Sequence, residues 1–338
     1  MKKILVCFSG GTFSSKTKDN IMDLSDKVND EFITNVTNIY HGEVNFKFLN
    51  TTLMLSENMY PEVWEKITDD INNVLKEDRK LDGIILIHGS DTAAYTTTFL
   101  SHYYKNLPIP IVVTASNAPI GESNSNGLNN FNASVDFILT SKLRGTYFIF
   151  QANQNRGEKL IYKAAELLEA NVYTGEFMCS QIGAFGKIQN RKFVSRESNE
   201  KNKNKKNLWE FEKFEYKNKI LGIKPYTGLD YSFFDLDSRN IKAVVHGAYH
   251  SSTQNCNTDS GYGDYSIIEF IEKCEKLGID VYLSDFPQNR LLLPIYETTA
   301  KLIRLGAMPV YNPFECAYTK AIHVYNNSRQ DKKEFMMR

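Results

Sequence analysis

The sequence predicts an α/β protein with a larger N-terminal parallel-sheet domain and a smaller C-terminal α/β domain. Short, unbroken apolar runs at residues 4–8 and 84–87 are written as strands buried on both faces of a sheet, and residues 110–114 make a third strand. Stretches with helical spacing alternate with these runs, as βαβ units with right-handed crossovers require. A chain of 338 residues is also long enough for two cores, and its composition changes near residue 200.

Residues 4–8 run directly into Ser9-Gly10-Gly11-Thr12. Thr12 is therefore expected at the carboxyl edge of the sheet, where open α/β folds hold their ligands. Gly10 and Gly11 permit a tight turn and close approach of a ligand, leaving the Thr12 hydroxyl presented rather than packed. Threonine acts as a nucleophile only with a base beside it, and the same pattern also suits a threonine that caps a turn. The dinucleotide fingerprint G-x-G-x-x-G is incomplete, for no third glycine follows.

Residues 15–43 are polar and weakly periodic, which reads as a surface segment or a lid over the site. Residues 46–55 alternate as a strand. Pro61 opens a helix whose apolar stripe, Val63, Trp64, Ile67, Ile71, Val74 and Leu75, lasts to about residue 76. The strand at 84–87 ends in His88-Gly89-Ser90-Asp91-Thr92, in which Ser90 or Asp91 is also a ready cap for a helix to residue 104. A third strand at 110–114 leads through an Asn/Ser/Gly-rich loop, 115–126, into a helix reaching about residue 142, and residues 146–150 make a fourth strand. The second domain repeats the alternation: strand 243–245, helix 266–277 stopped by Gly278, strand 281–283, and helices 295–305 and 313–325. The expected domains are residues 1–195 and 220–338, joined by a charged linker, 196–219, that contains Lys201, Lys203, Lys205 and Lys206.

Forty Lys+Arg balance forty Asp+Glu, so no global field favours nucleic acid or an anionic membrane. The five cysteines are scattered and never spaced as a metal knuckle, which fits reduced thiols in a cytoplasmic protein. Lys2-Lys3 and the apolar run after them resemble the start of a signal peptide, but the run breaks at Ser9-Gly10-Gly11. No segment approaches the roughly 20 apolar residues of a membrane span. In a parallel sheet the strand-end loops share one edge, so Thr12, Ser90-Asp91 and Thr114 with Ser116 are expected to gather around a small polar ligand.

These residues resemble the bacterial-type L-asparaginase/glutaminase family. Ser9-Gly10-Gly11-Thr12 looks like its first threonine motif, and the segment from Asp82-Gly83 through His88-Gly89-Ser90-Asp91-Thr92 looks like its second, D-G-[IV]-V-[IV]-T-H-G-T-D-T. Ser56-Glu57-Asn58-Met59 resembles its substrate loop, and residues 112–119 with 126–133 resemble its T-G-A-M-R-P and S-A-D-G region. Weaker echoes fall at 223–228, 246–253, 284–290 and 308–320. The resemblance implies hydrolysis of the side-chain amide of asparagine or glutamine to the acid and ammonia, without metal or organic cofactor, in a homodimer or homotetramer.

The resemblance also implies roles for individual residues. Thr12 would be the nucleophile, with Ser90, Asp91 and Lys163 completing the catalytic set. Gly11, Ser56, Glu57, Ser90, Asp91 and Ser116 would bind the substrate, Asp91 through its ammonium and Ser56 through its carboxylate. Lys163 lies one residue beyond the family spacing counted from Phe150, whereas counting back from residues 183–186 reaches Leu168 or Glu169. Ser90 stands where the family has threonine, Asn117-Ala118 where it has Met-Arg, and no tyrosine lies between Thr12 and Tyr40. The competing expectations are an ammonia supplier similar to the amidotransferase subunit of this fold, and a binding module that has kept the amino-acid pocket and lost turnover.

Overall fold

A computed structural model describes residues 1–18, 21–153, 157–180, 183–196, 207–259, 261–286, 296–327 and 331–337. The chain divides into two units, Met1–Phe214 and Glu215–Arg338. The first contains β1 (Lys2–Gly10), β2 (Ser15–Lys18), β3 (Ile21–Leu24), α1 (Asp26–Ile39), β4 (Val44–Met54), α2 (Pro61–Glu77) and β5 (Gly83–Ile87). It continues with α3 (Ala93–Tyr103), β6 (Pro110–Thr114), α4 (Gly127–Thr140), β7 (Gly145–Gln151), β8 (Lys159–Lys163), β9 (Gly186–Gln189) and β10 (Lys192–Ser195).

Eight of these strands form one sheet in the order β10-β9-β8-β7-β6-β5-β1-β4. The run from β4 to β7 is parallel, and β8, β9 and β10 extend it antiparallel. Because β1 lies between β4 and β5, the chain builds on one side of β1 and then crosses to the other. Its carboxyl end is thus the topological switch point, where neighbouring connections diverge and leave a crevice.

Both faces of β1 are covered, which is why its apolar residues do not alternate with polar ones. Ile4, Val6 and Phe8 share a core with Phe32 and Val36 of α1 and with Phe131 and Phe137 of α4. Phe32 meets Phe8, Phe13 and Phe131 edge-on, with centroids 6.0, 4.9 and 4.8 Å apart. Such pairs each add about 0.5–1.5 kcal/mol beyond area burial, so this cluster fixes the end of β1 firmly. Leu5 and Cys7 are fully buried on the opposite face, together with Ile67 and Ile71 of α2 and Phe99 of α3.

The strands and helices expected around residues 4–8, 46–55, 61–76, 84–104, 110–114, 127–142 and 146–150 are present within a few residues. Residues 15–43 hold more than a lid: β2 and β3 form a hairpin, and α1 buries Val28, Phe32 and Val36. That spacing of four was legible, but the Asn, Asp and Thr between these residues dilute the stripe. Of the expected linker, residues 197–206 with their four lysines lie outside the described residues. Residues 207–214 instead pack on the first unit. There Phe211 meets Tyr104 and Phe214 meets Phe99, both at 4.8 Å, and the Leu208 N–H donates to the Asn106 carbonyl.

The second unit is a four-stranded parallel sheet of β11 (Lys219–Ile223), β12 (Ile241–His246), β13 (Asp280–Leu283) and β14 (Met308–Pro309), in that order. Its helices are α5 (Ile267–Lys276), α6 (Glu297–Arg304), α7 (Phe314–Tyr325) and α8 (Lys332–Met337). Ser266 caps α5 by accepting from the Ile268 N–H, and Ile267, Ile271 and Cys274 enter the core as their spacing predicts. Asp285, at a φ of 65°, accepts the Phe314 N–H at the start of α7. Residues 287–290, part of one family echo, and residue 295 lie outside the described residues. Among the described residues no helix is long and apolar enough to cross a membrane.

Candidate active site

The crevice beyond β1 is built by close backbone approach. Gly10 and Gly11 both have positive φ, and the Gly11 N–H donates to the Met54 carbonyl at the end of β4 over 2.9 Å. A Cβ on Gly11 would stand 2.4 Å from the Gly89 Cα, so the Thr12 turn and the Ser90-Asp91 turn press together with no room for a side chain between them. Thr12 opens a single 3₁₀ turn, Thr12–Ser14, and is half-buried, whereas Phe13 behind it is fully buried against Phe32. The turn is tied down further. Ser15 donates to the Gly11 carbonyl at 3.0 Å, and Ser14 donates to Asn29 of α1 at 2.9 Å.

Ser56 and Glu57 reach the same place from the 3₁₀ turn Ser56–Asn58 that follows β4. A Cβ on Gly89 would lie 2.4 Å from the Ser56 Oγ, so Ser56 flanks Gly89 on one side as Gly11 does on the other. Thr92 donates to the Ser56 carbonyl at 2.8 Å, locking the two turns to each other. Asp91 sits among these groups. Burial raises its pKa most, the neighbouring Glu57 carboxylate raises it further, and a hydrogen bond from Ser56 partly offsets both. Both carboxylates are exposed, and two neighbouring negative charges favour a cation beside them. The helix cap expected at Ser90 or Asp91 falls instead at Thr92, with no side-chain cap bond, which leaves the Asp91 carboxylate to the crevice.

Ser116 has a different surrounding. It is 1% exposed, donates to the Ala118 carbonyl at 2.5 Å and meets Ser125 at 3.0 Å, so its hydroxyl is engaged within the 115–126 loop. Asn117 and Asn126 close that loop by exchanging side-chain-to-backbone bonds of 2.9 Å in both directions. Gly127 brings the loop to the Thr12 turn, since a Cβ there would meet the Ser116 Oγ at 2.9 Å and the Phe13 ring at 3.1 Å. The fully buried Asn130 joins the Ala115 carbonyl to the Gln151 N–H, holding the ends of β6 and β7 together.

Lys163 is not brought to this group. On β8 it pairs with Tyr147 of β7, level with Val112 and Ile85 in the middle of the sheet, and its Nζ lies 4.5 Å over the Phe185 ring. With strands about 4.8 Å apart, the four strand steps from β8 to β1 amount to about 19 Å, far beyond the reach of a lysine side chain. The same register puts Lys159 opposite Gln151, at the carboxyl end of β7.

Sequence reasoning missed the groups behind Gly89. His88 is fully buried, with Nδ1 2.8 Å from the Gly89 carbonyl and Nε2 2.9 Å from the Thr96 hydroxyl, which also accepts from the Trp64 indole N–H at 3.0 Å. Burial holds its pKa down at about 4, only partly opposed by the bond to Gly89, so it is neutral at ordinary pH. The signal was a histidine at the end of an apolar strand, but its partners are 8 and 24 residues away. His246 makes the same bond to the Gly247 carbonyl in the second unit and meets the Tyr231 hydroxyl at 2.9 Å. No cluster among the described residues has the three or more His, Cys, Asp or Glu that a metal ion would need.

Residues 3–201 match the family described as asparaginase, N-terminal. A glutamyl-tRNA(Gln) amidotransferase subunit from Thermococcus kodakarensis is 25% identical over 279 residues, covering 79% of this chain and 59% of that protein. L-asparaginase 1 of Escherichia coli is 42% identical over 84 residues, 25% of this chain and 24% of that one. The chain thus spans about three fifths of the amidotransferase subunit. In fold it is similar to the thermostable L-asparaginase from Thermococcus kodakarensis, with a TM-score of 0.74 at 20% identity over 99% of this chain and 97% of that one. The matched region contains the whole crevice from Thr12 to Ser116, and the chain belongs to the asparaginase family of amidohydrolases.

Proposed function

We propose that this protein hydrolyses the side-chain amide of L-asparagine, and of L-glutamine, to the acid and ammonia, with Thr12 as the nucleophile. The observation that carries the reading is the contact of Gly11 with Gly89, which sets a half-buried threonine beside Ser90, Asp91, Ser56 and Glu57 at the switch point. The substrate ammonium lies against Asp91 and Glu57, and its carboxylate against Ser56. The Thr12 Oγ1 adds to the amide carbon, the tetrahedral intermediate expels ammonia, and water hydrolyses the resulting ester to the acid and free Thr12. The protein works in the cytoplasm as a homodimer or homotetramer, which light scattering checks. Ammonia release from asparagine and glutamine, measured beside calorimetric binding of L-aspartate, tests the activity. Binding without release would leave the binding-module reading in its place.

The similarity to amidotransferase subunits favours one other reading, in which the same chemistry supplies ammonia to a partner. A kcat/KM for glutamine well above that for asparagine would support it.

The raised pKa of Asp91 predicts a pH limb. A carboxyl raised in this way takes up its proton at a higher pH than an ordinary aspartate, and the neutral form holds an ammonium poorly. L-Aspartate affinity should therefore fall with decreasing pH at a point above the usual aspartate range. Glu57→Gln removes one cause of the shift and should move that limb to lower pH. Calorimetry across the acid range checks the direction, and an unmoved limb would assign the titration to another group.

The proton of Thr12 needs an acceptor, for which the resemblance offers Lys163. Its place on β8 predicts that Lys163→Met leaves turnover within about tenfold of wild type, whereas deleting a positioned proton acceptor costs about 10²–10⁴-fold. A loss in the larger range would mean that β8 shifts when substrate binds.

A further inference from the structure

We propose that His88 is a positioning residue for the amide-hydrolysing site: its Nδ1–H, backed by Thr96 and Trp64, clamps the Gly89 peptide and so sets the gap between Thr12 and Ser90-Asp91. The inference rests on the amidase reading above and adds to it a residue that touches neither substrate nor nucleophile.

The donor logic leaves one arrangement. A carbonyl can only accept, so the 2.8 Å contact with the Gly89 oxygen requires the hydrogen on Nδ1. An indole N–H can only donate, so Trp64 gives its hydrogen to the Thr96 Oγ1, and the Thr96 hydroxyl is left to donate to the Nε2 of a neutral imidazole. The chain of donors runs Trp64 to Thr96 to His88 to Gly89, and Trp64 is itself held by stacking on Phe99 at 4.6 Å. Trp64, Thr96 and His88 are at most 3% exposed, so water cannot replace a lost partner.

Gly89 is where such a clamp has leverage. It is wedged between Gly11 and Ser56: a Cβ on Gly11 would collide with Gly89, and a Cβ on Gly89 would collide with the Ser56 side chain. The peptide that follows Gly89 is planar and trans, so turning its carbonyl toward His88 turns the Ser90 N–H to the opposite side. Freed from the imidazole, this peptide could rotate, and Ser90 and Asp91 would shift relative to Thr12. Misplacement by about 1 Å in a site of this kind costs on the order of 10²-fold in rate.

The test separates the two ends of the imidazole. His88→Asn puts an amide N–H where Nδ1 was and keeps a donor for Gly89, whereas His88→Gln reaches toward Thr96 and leaves Gly89 without its donor. We expect His88→Gln to lower kcat for asparagine about 30- to 100-fold with KM changed less than about threefold, and His88→Asn to recover most of the loss. Thr96→Val, a second variant that removes the support behind Nε2, should lower kcat in the same direction. Equal losses in the Asn and Gln variants would overturn the proposal. Two readouts need no turnover: ¹⁵N-histidine NMR of the wild type should show His88 as the neutral Nδ1–H tautomer down to about pH 4, and L-aspartate should bind His88→Asn more tightly than His88→Gln. An Nε2–H tautomer or an imidazolium near neutral pH would overturn the clamp even if the protein released ammonia. Absence of ammonia release from the wild type, with the Nδ1–H tautomer and that order of aspartate binding retained, would instead reject the amidase reading and keep the clamp.

Discussion

Thr12→Ala is expected to abolish ammonia release, with a loss of about 10³-fold or more, as removal of a covalent nucleophile gives in other acyl-transfer enzymes. Thr12 stands half-buried at the start of its turn, while the packing that holds the turn belongs to Phe13, Ser14 and Ser15. Truncating Thr12 to its Cβ should therefore leave the melting temperature and L-aspartate affinity close to wild type. Thr12→Ser keeps the hydroxyl and should retain activity within about tenfold, losing only the rotamer preference of the β-branched side chain. Wild-type protein quenched during turnover should carry an acyl group on the peptide containing Thr12 by mass spectrometry, and Thr12→Ala should carry none. Near-wild-type ammonia release from the alanine variant would remove the nucleophile from this residue.

Gly11→Ala is expected to damage both stability and activity. The φ of 75° is strained for alanine, at about 1–3 kcal/mol, and the new Cβ would lie 2.4 Å from the backbone of Gly89, a contact that no flexible side chain can relieve. Overpacking adds about 1–3 kcal/mol, so the total is about 2–6 kcal/mol. For a unit of this size each kcal/mol shifts the melting temperature by about 2–4 °C, so a fall of about 4–24 °C should appear by differential scanning calorimetry. Moving Gly89 away from Gly11 also opens the gap between Thr12 and Ser90, and kcat should drop about 10²-fold even in the protein that remains folded. An alanine variant that melts and turns over like wild type would show that the two turns are not packed as tightly as their backbones indicate.

The Thr12 and Gly11 variants differ in kind because the residues do different work. In the proposed mechanism Thr12 supplies a reacting atom and little packing, whereas Gly11 supplies the clearance between the two turns. A paired measurement of melting temperature and kcat distinguishes them: Thr12→Ala should move only the second and Gly11→Ala both.

Local patterns determined the elements and the turn that carries Thr12. The apolar runs of β1, β5 and β6 had to be buried on both faces, because no alternation left a side for water, and strands of that kind belong to parallel sheets with helices between them. The glycines after β1 and the His-Gly-Ser-Asp after β5 lie at strand ends by sequence position, and a parallel sheet puts all such ends on one edge. The pairing of these ends, and the order of strands that makes β1 the switch point, came only from the tertiary structure, since register is a property of two distant segments. The same holds for Lys163, whose apolar surroundings in sequence suited a desolvated base but whose register with Tyr147 sets it mid-sheet. It holds for Ser116, a strand-end hydroxyl turned into its own loop. It holds most fully for His88, whose Nε2 partner Thr96 is itself bonded by an indole 24 residues from the histidine: hydrogen-bond direction is decided by which donors and acceptors meet in space, and that meeting is set by packing.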